Sequence, residues 1–343
     1  MKKPRVMYLL DHYLSMSETY VQSEIEALSD DYEIKVVTLH EAVPPAARNH
    51  YPFQVMPDSA LILEAAEEFR PHVFHGHHIT GVQWFAEIAR RAGVPFTARA
   101  HSFESIWGEG ESPPPHIPLI APLINDDLCL GILAFPFVRP NFERAGIRGE
   151  KIHDCYPVVD YERFHDRTPN GEGVMSVGVA LPRKNLQAFI EMAAAPAPQA
   201  GFDLYALGFE VERLKQRNEE MGRPVHLNAP VEPADMPREY KRHRWLLVTA
   251  SPDVIFSRGW PVSVAEAQAA GVGVCMYNLR PDLKEYVGEC GFLYDSMAEA
   301  RKIVSGEFPE EMRQAGFEHA RKSDIRRHKH LLTDLWRKAI TTH

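Results

Sequence analysis

The sequence predicts an α/β protein made of two doubly wound domains, each with a parallel sheet at its centre. Three observations carry that expectation. Short apolar runs of strand length alternate with helical periodicity along the chain. Residues 245–278 read as a complete strand–loop–helix–strand unit, the repeating piece of a parallel sheet. The 343 residues suffice for two domains with sizeable cores, and two α/β halves of similar size follow one another with no internal sequence repeat.

The bulk properties narrow the class. The chain is 45% hydrophobic and 25% charged, as soluble globular proteins are. It has no run of about 20 apolar residues, so no membrane-spanning helix is expected. The apolar run at 6–10 is too short for a signal-peptide core and reads as a first strand, which implies a cytoplasmic protein. Cys129, Cys155, Cys275 and Cys290 are scattered without C-x-x-C spacing, which favours reduced, buried thiols over disulfides or a zinc site. A formal charge of −9 argues against nucleic acid as the main partner, while leaving room for a local basic patch facing a membrane.

In the first half, residues 6–10 and 34–39 are strands. Between them Ser15-Met16-Ser17-Glu18 has capping-box spacing and opens a helix to about Ser29, with Val21, Ile25 and Leu28 facing inward. A helix at 61–69 closes at Arg70-Pro71. Residues 72–78 form a strand and loop with His72, His75, His77 and His78. His75 and His77 would share a face, but Gly76 is expected to break the strand and no acidic or cysteine partner is near in sequence, so no metal site is expected. A helix at 80–92 ends at Gly93, residues 95–100 are a strand, and residues 105–117 are a Pro/Gly-rich loop. Strands at 128–133 and 151–159 complete this half.

In the second half, residues 168–173 form a turn and residues 174–178 a strand. Strands at 202–208 and 225–228 flank a helix at 210–221, and a short helix lies within 232–243. The strand at 245–249 leads through a Ser/Pro/Gly-rich loop to Pro261, which suits the start of a helix at 262–270; Gly271 stops that helix before a strand at 272–277. The N-terminus of this helix presents free N–H groups and a positive dipole end, a seat for phosphate. The last segment, 310–340, reads as helical and carries the basic cluster Arg326, Arg327, His328, Lys329 and His330.

The residues from Arg258 to Val274, R-G-W-P-V-S-V-A-E-A-Q-A-A-G-V-G-V, resemble the nucleotide-sugar signature of the glycogen-synthase-like, retaining glycosyltransferases with the GT-B fold. Gly259, Pro261, Glu266, Ala267, Ala269, Gly271 and Val274 match it. Arg258 stands where the family has the first Glu of a Glu-x7-Glu pair, and Gly273 replaces the usual Pro. Other stretches add to the likeness: S-E-T-Y and E-I-E-A-L near the start, A-R-A-H-S-F-E around His101, V-D-Y-E-R-F at the domain linker, and V-M-S-V-G-V-A-L-P-R-K-N-L, in which Lys184 matches the family's Lys while Val179 replaces its Arg.

The resemblance covers most of the chain and implies two Rossmann-like doubly wound domains facing a cleft. Residues 1–158 would form the acceptor-side domain. Residues 159–343 would form the nucleotide-sugar domain, with the last helix free to pack back on the first. It further implies transfer of a sugar from a nucleotide-diphosphate donor to a glycan, lipid-linked or small-molecule acceptor in polysaccharide assembly, with no metal and no cofactor beyond the donor itself. In that reading Lys184, with Arg183 in place of the lost Arg, and the helix opened by Gly259, Trp260, Pro261 and Val262 hold the diphosphate. Glu266 holds the ribose hydroxyls, His101 positions the sugar, and Ser17, Glu18 and Thr19 lie on the acceptor side. Arg258 donates but does not accept hydrogen bonds, so in the place of a Glu it would pair with an anionic group on donor or acceptor. The departures at Arg258 and Val179, and the loss at the linker of the Asn-Gly pair that the family has before Val-Asp, also keep open a degenerate protein that binds nucleotide or glycan without catalysis. A nucleotide-sugar epimerase on the same topology stays open as well. The cytoplasmic chain could touch the inner face of a membrane through its basic cluster.

Overall fold

The computed structural model describes residues 2–13, 16–42, 46–108, 110–195, 201–252 and 259–341, apart from the side chains of Ser102, Phe103 and Lys338. The chain divides into two compact units, residues 1–158 with 325–343, and residues 159–324.

The first unit is built on seven strands: β1 (Arg5–Leu10), β2 (Glu33–Thr38), β3 (Phe53–Val55), β4 (Val73–His77), β5 (Phe96–Arg99), β6 (Cys129–Ala134) and β7 (Ile152–Asp154). They pair in the order β3-β2-β1-β4-β5-β6-β7, every pair parallel. Both faces of such a sheet are covered, so its strands are buried along nearly their whole length rather than alternating. One face packs Val6, Tyr8, Leu10 and Val36 against Val21, Ile25 and Leu28 of the helix Thr19–Ser29. The final helix, Ile325–Thr341, lies against that same helix, and its Trp336 meets Tyr32 edge-on at 5.4 Å.

Three local expectations change here. Gly76 lies inside β4 instead of breaking it. A Cβ there would come within 2.2 Å of the Phe85 ring, so close helix–sheet packing is what this glycine serves. The first helix starts at Thr19 with Glu18 as its N-cap residue; the Glu18 side chain makes no capping bond, and Ser15 lies outside the described residues. The segment 310–340 is two helices, Glu310–Ala320 and Ile325–Thr341, parted by a short 3₁₀ turn at Arg321–Ser323.

The second unit is built on β8 (Gly173–Val179), β9 (Phe202–Leu207), β10 (His226–Asn228), β11 (His243–Val248), β12 (Gly273–Tyr277) and β13 (Gly291–Tyr294), in the parallel order β10-β9-β8-β11-β12-β13. The helix Val262–Ala269 crosses from β11 to β12, and Gly271 ends it at φ +72°, a conformation glycine adopts without strain. Gly273, the departure from the family's Pro, faces Trp245 in the neighbouring strand. A Cβ at 273 would sit 2.6 Å from the Trp245 ring and 2.8 Å from Phe308, so the large Trp requires the glycine.

In both sheets the strand order reverses direction beside the first strand of the unit, between β1 and β4 and between β8 and β11. The loops at the carboxyl ends of those strands bound the crevice in which doubly wound sheets bind ligands.

Candidate functional site

At the reversal point of the second unit, β8 runs out at Val179 and the chain turns through Pro182–Lys184. The turn is pinned to the end of β11: Thr249 Oγ1 donates to the Lys184 carbonyl at 2.7 Å, and the Ser251 N–H donates to the Arg183 carbonyl at 3.0 Å. Lys184 Nζ lies over Gly178, where a Cβ would come within 2.4 Å of it. Arg183 is half-buried, burial draws its pKa below the ordinary value, and among the described residues its guanidinium makes no ion pair.

Three helices start at this edge, Leu186–Ala194 after β8, Val211–Glu220 after β9 and Val262–Ala269 after β11, and among the described residues none has a side-chain cap on its N-terminus. Elsewhere in the same unit Ser296 caps its helix through the Glu299 N–H. The orphan N–H groups of the three ends are therefore available to an anion.

The residues that open the third helix are fixed by packing. Trp260 is buried, stacks on Tyr286 with ring centroids 4.8 Å apart, and donates its indole N–H to Asp282 at 2.9 Å. Tyr286 in turn donates to the Pro261 carbonyl at 2.6 Å. The Trp260 side chain is thus spent on structure, and what 259–262 offer to a ligand is backbone. Gly259 is buried and Val262 half-buried. Glu266, one turn along, is half-buried and accepts from the Tyr240 hydroxyl at 2.8 Å. Burial raises its pKa, and the Tyr240 bond only partly offsets that. Arg258 lies outside the described residues.

In the first unit the carboxyl ends of β1, β4 and β5 bring Glu18, His78 and His101 together. His78 follows β4 with φ +70°, an uncommon conformation for a residue with a Cβ. Its ring nitrogens lie 3.8 Å from Glu18 and 3.7 Å from Glu104. Burial works against the imidazolium, but the nearby carboxylates of Glu104 and Glu18 outweigh it and lift His78 to about 10. Glu18 would be raised by burial, yet His12, 3.4 Å away, and His78 bring it down to about 2. Hydrogen bonding to Glu18 raises His12 in turn. Ser17 is exposed and Thr19 half-buried beside this group.

His101 stands 4.4 Å from His78, ring to ring, and is buried. It caps the short helix Ser102–Ser105: its ring accepts from the Glu104 N–H while the Glu104 carboxylate accepts the His101 N–H. Its Nε2 faces His77 Nδ1 at 3.1 Å, so the capping acceptor is Nδ1 and Nε2 carries the proton. His77 then accepts at Nδ1 and donates from Nε2 to Glu24 Oε1 at 3.0 Å. Burial, and next the His78 cation, hold His101 well below its usual pKa, while burial, outweighing the attraction of Glu24, brings His77 down to about 4; both rings are neutral.

The directed chain ends on Glu24, which is fully buried. Oε1 also accepts from Tyr8 at 2.9 Å, His75 Nε2 lies 3.1 Å from it, His328 of the final helix bonds Oε2, and Arg99 stands 3.7 Å from Oε2. Burial alone would raise Glu24, but the imidazoles of His77, His328 and His75 bring it well below the usual carboxylate range. Glu24, His75 and His77 are close enough to hold a metal ion. In the structure as it stands, the buried Arg99 supplies the positive charge beside the carboxylate.

The sequence around His75 and His77 holds no acidic partner; the structure brings one to them from another element, Glu24. Its signal was a Glu on the buried stripe of a helix, between Val21 and Leu28. His12, His78 and Tyr240 were missed as well; His78 belonged to a run of histidines that was noted, while His12 and Tyr240 carry no motif.

No family model matches the chain, and no curated protein matches its sequence. Solved structures match its fold. HepE from Anabaena, in complex with UDP, is 16% identical, with 97% of this chain and 99% of that one covered and a TM-score of 0.75. The same protein has been solved with UDP-glucose. Sucrose-phosphate synthase from Thermosynechococcus elongatus is 14% identical, with 99% and 100% covered and a TM-score of 0.76. A glycosyltransferase from Rickettsia africae is 12% identical, with 98% and 99% covered and a TM-score of 0.68. The chain has the GT-B glycosyltransferase fold.

Proposed function

We propose that the chain is a glycosyltransferase that moves a sugar from a nucleotide-diphosphate donor to a glycan, lipid-linked or small-molecule acceptor with retention at the anomeric carbon. The observation that carries the reading is the anion seat at the carboxyl edge of β8 and β11. Lys184 and Arg183 stand on a pinned turn there, and the neighbouring helix N-termini are uncapped. As the bond from the anomeric carbon to the diphosphate breaks, charge gathers on the diphosphate, and preorganised cations and N–H groups stabilise it there. Glu266, oriented by Tyr240, accepts from the ribose hydroxyls. In the first unit, Ser17, Glu18 and Thr19 meet the acceptor, and Glu18, kept ionised by His12 and His78, is the hydroxyl acceptor among them. Arg258 is assigned to an anionic group on donor or acceptor. The exposed Arg326, Arg327 and His330 of the final helix suit a peripheral contact with a membrane.

UDP and UDP-glucose, the ligands solved with HepE, are the first to test. UDP should bind without added metal, and Lys184→Ala should weaken it by about 1.5–3 kcal/mol, the scale of a charge-assisted hydrogen bond. Binding that is unchanged by the substitution across a panel of nucleoside diphosphates would remove the donor site from this edge. A second reading, a protein that binds the nucleotide without transfer, is favoured by one feature: both ring nitrogens of His101 are engaged within the protein. Slow hydrolysis of a nucleotide sugar by the wild type, lost in Lys184→Ala, separates the two, because a binding protein would hydrolyse none.

A further inference from the structure

Phe209 is 88% exposed, far more than any other large hydrophobic side chain among the described residues. It stands at the carboxyl end of β9, in the turn between Leu207 and the helix Val211–Glu220. A solvent-exposed Phe on a loose loop would mean little. This turn is held on both sides. The Ala180 N–H donates to the Leu207 carbonyl at 2.6 Å, and the Glu210 N–H donates back to the Ala180 carbonyl at 3.3 Å. The Glu210 side chain is fixed in turn by Arg213 at 2.8 Å. Gly208 adopts φ +102°, and a Cβ there would meet Val179 at 2.9 Å, so the backbone just before the Phe lies tight against the end of β8.

Ala180, which both donates to and accepts from this turn, comes three residues before Arg183 in the chain. The backbone that carries the aromatic side chain therefore lies about one strand spacing, ~4.8 Å, from the end of β8, the strand that leads into the turn with both cations. An aromatic side chain exposed at the same sheet edge as two cations, with only β8 between its strand and the strand to which their turn is pinned, fits one kind of ligand: an anion that carries a flat ring. A nucleobase stacks on an aromatic face whatever its hydrogen-bonding edge, because every base has a π-face.

We propose that Phe209 is the platform on which the base of the donor nucleotide stacks. The inference rests on the reading of Lys184 and Arg183 as the diphosphate seat and extends it to the other end of the same ligand. A stacking platform strengthens binding of all bases, so the choice among them has to come from hydrogen bonds made elsewhere.

The test compares a ligand that has a base with one that lacks it. Calorimetric titrations of the full chain would use UDP, ADP and GDP on one side and inorganic pyrophosphate on the other. Phe209→Ala should weaken each nucleotide about tenfold and leave pyrophosphate unchanged. Lys184→Ala should weaken both kinds. Phe209→Trp should bind as the wild type does and show its emission quenched as UDP is added. If Phe209→Ala binds the nucleotides within twofold of wild type while Lys184→Ala does not, the stacking role is wrong and the diphosphate seat stands. If the wild type binds none of the nucleotides, both are wrong.

Discussion

Replacing Glu24 by Gln tests the centre of the first unit with almost no change in shape. The carboxylate accepts from Tyr8 at 2.9 Å, from His77 at 3.0 Å and from His328, and Arg99 stands 3.7 Å away. An amide keeps one acceptor oxygen and places an NH₂ where the other was. Whichever way it turns, it presents a donor either to Tyr8 and His77 or to His328. The buried Arg99 also loses its counter-charge, since both Arg99 and Glu24 are shielded from water. Removing one partner of a buried pair costs about 3–5 kcal/mol, a large part of the roughly 5–15 kcal/mol that holds a domain folded. For a unit of this size that is a fall in melting temperature of roughly 6–20 °C. Scanning calorimetry of the whole chain measures it. Adding Arg99→Met should then recover part of the loss, because the stranded cation is gone; the part tied to Tyr156, whose carbonyl accepts from Arg99 at 2.9 Å, stays lost. A melting temperature within about 2 °C of wild type for Glu24→Gln, or a double variant less stable than the single one, would refute the claim that this pair organises the unit.

Two further outcomes follow from the same groups. Stability should peak near pH 6.5. On the acid side His77, His101 and His328 are held neutral in the fold by burial, so the unfolded chain takes up protons first, and stability falls from about pH 6.5 towards the His77 value of about 4. On the alkaline side His78 keeps its proton to about 10 while the unfolded chain loses it near 6.5, so stability falls as the pH rises between those values. Melting curves from pH 5 to 9 test both arms, and Glu18→Gln should flatten the alkaline one; an alkaline arm as steep as wild type in that variant would take His78 out of the account. In the second unit, Tyr240→Phe should weaken UDP by about 0.5–1.5 kcal/mol, one hydrogen bond, by releasing Glu266. Unchanged affinity in a titration would detach Glu266 from the ligand.

The fold was legible because parallel sheets write themselves plainly. Strands covered on both faces are continuous apolar runs, and most of those expected fall within a residue or two of the observed ones, as at Glu33–Thr38 and Gly273–Tyr277. Glycine was read less well, because the sequence cannot say what lies opposite. At Gly271 and Gly93 it ends a helix with positive φ, as expected. At Gly76 and Gly273 it makes room for Phe85 and for Trp245, and neither neighbour is near in sequence. The three-residue strand Phe53–Val55 escaped, and the strand expected over 151–159 joins the sheet only at Ile152–Asp154. The basic cluster near the end was read as one surface, yet His328 within it is buried on Glu24, and Lys329 pairs with Asp31 at 2.7 Å. Helical periodicity brings only one face of that cluster inward, and that face was the informative one.

The positions of the candidate residues were legible where a strand runs into a turn and a helix, and opaque where side chains meet one another. Lys184, Pro261 and Glu266 could be placed because strand–turn–helix junctions fix where a residue lands. His101 could be placed at the end of β5 for the same reason, but its bonding could not. The sequence offers a histidine with two nitrogens and no way to tell that Glu104 occupies one and His77 the other. Once both are assigned, the direction of every bond in the chain is forced. A neutral imidazole has one proton, the capping bond takes the lone pair of His101 Nδ1, and so the remaining protons must point from His101 to His77 and from His77 to Glu24. A proton on Glu24 Oε1 would have to be donated where that oxygen now accepts, from Tyr8 and from His77. The loop that starts at His101 is therefore held in place by the ionised state of a carboxylate buried in the core, and a substitution at Glu24 should be felt at Ser102–Ser105 before it is felt at the sheet.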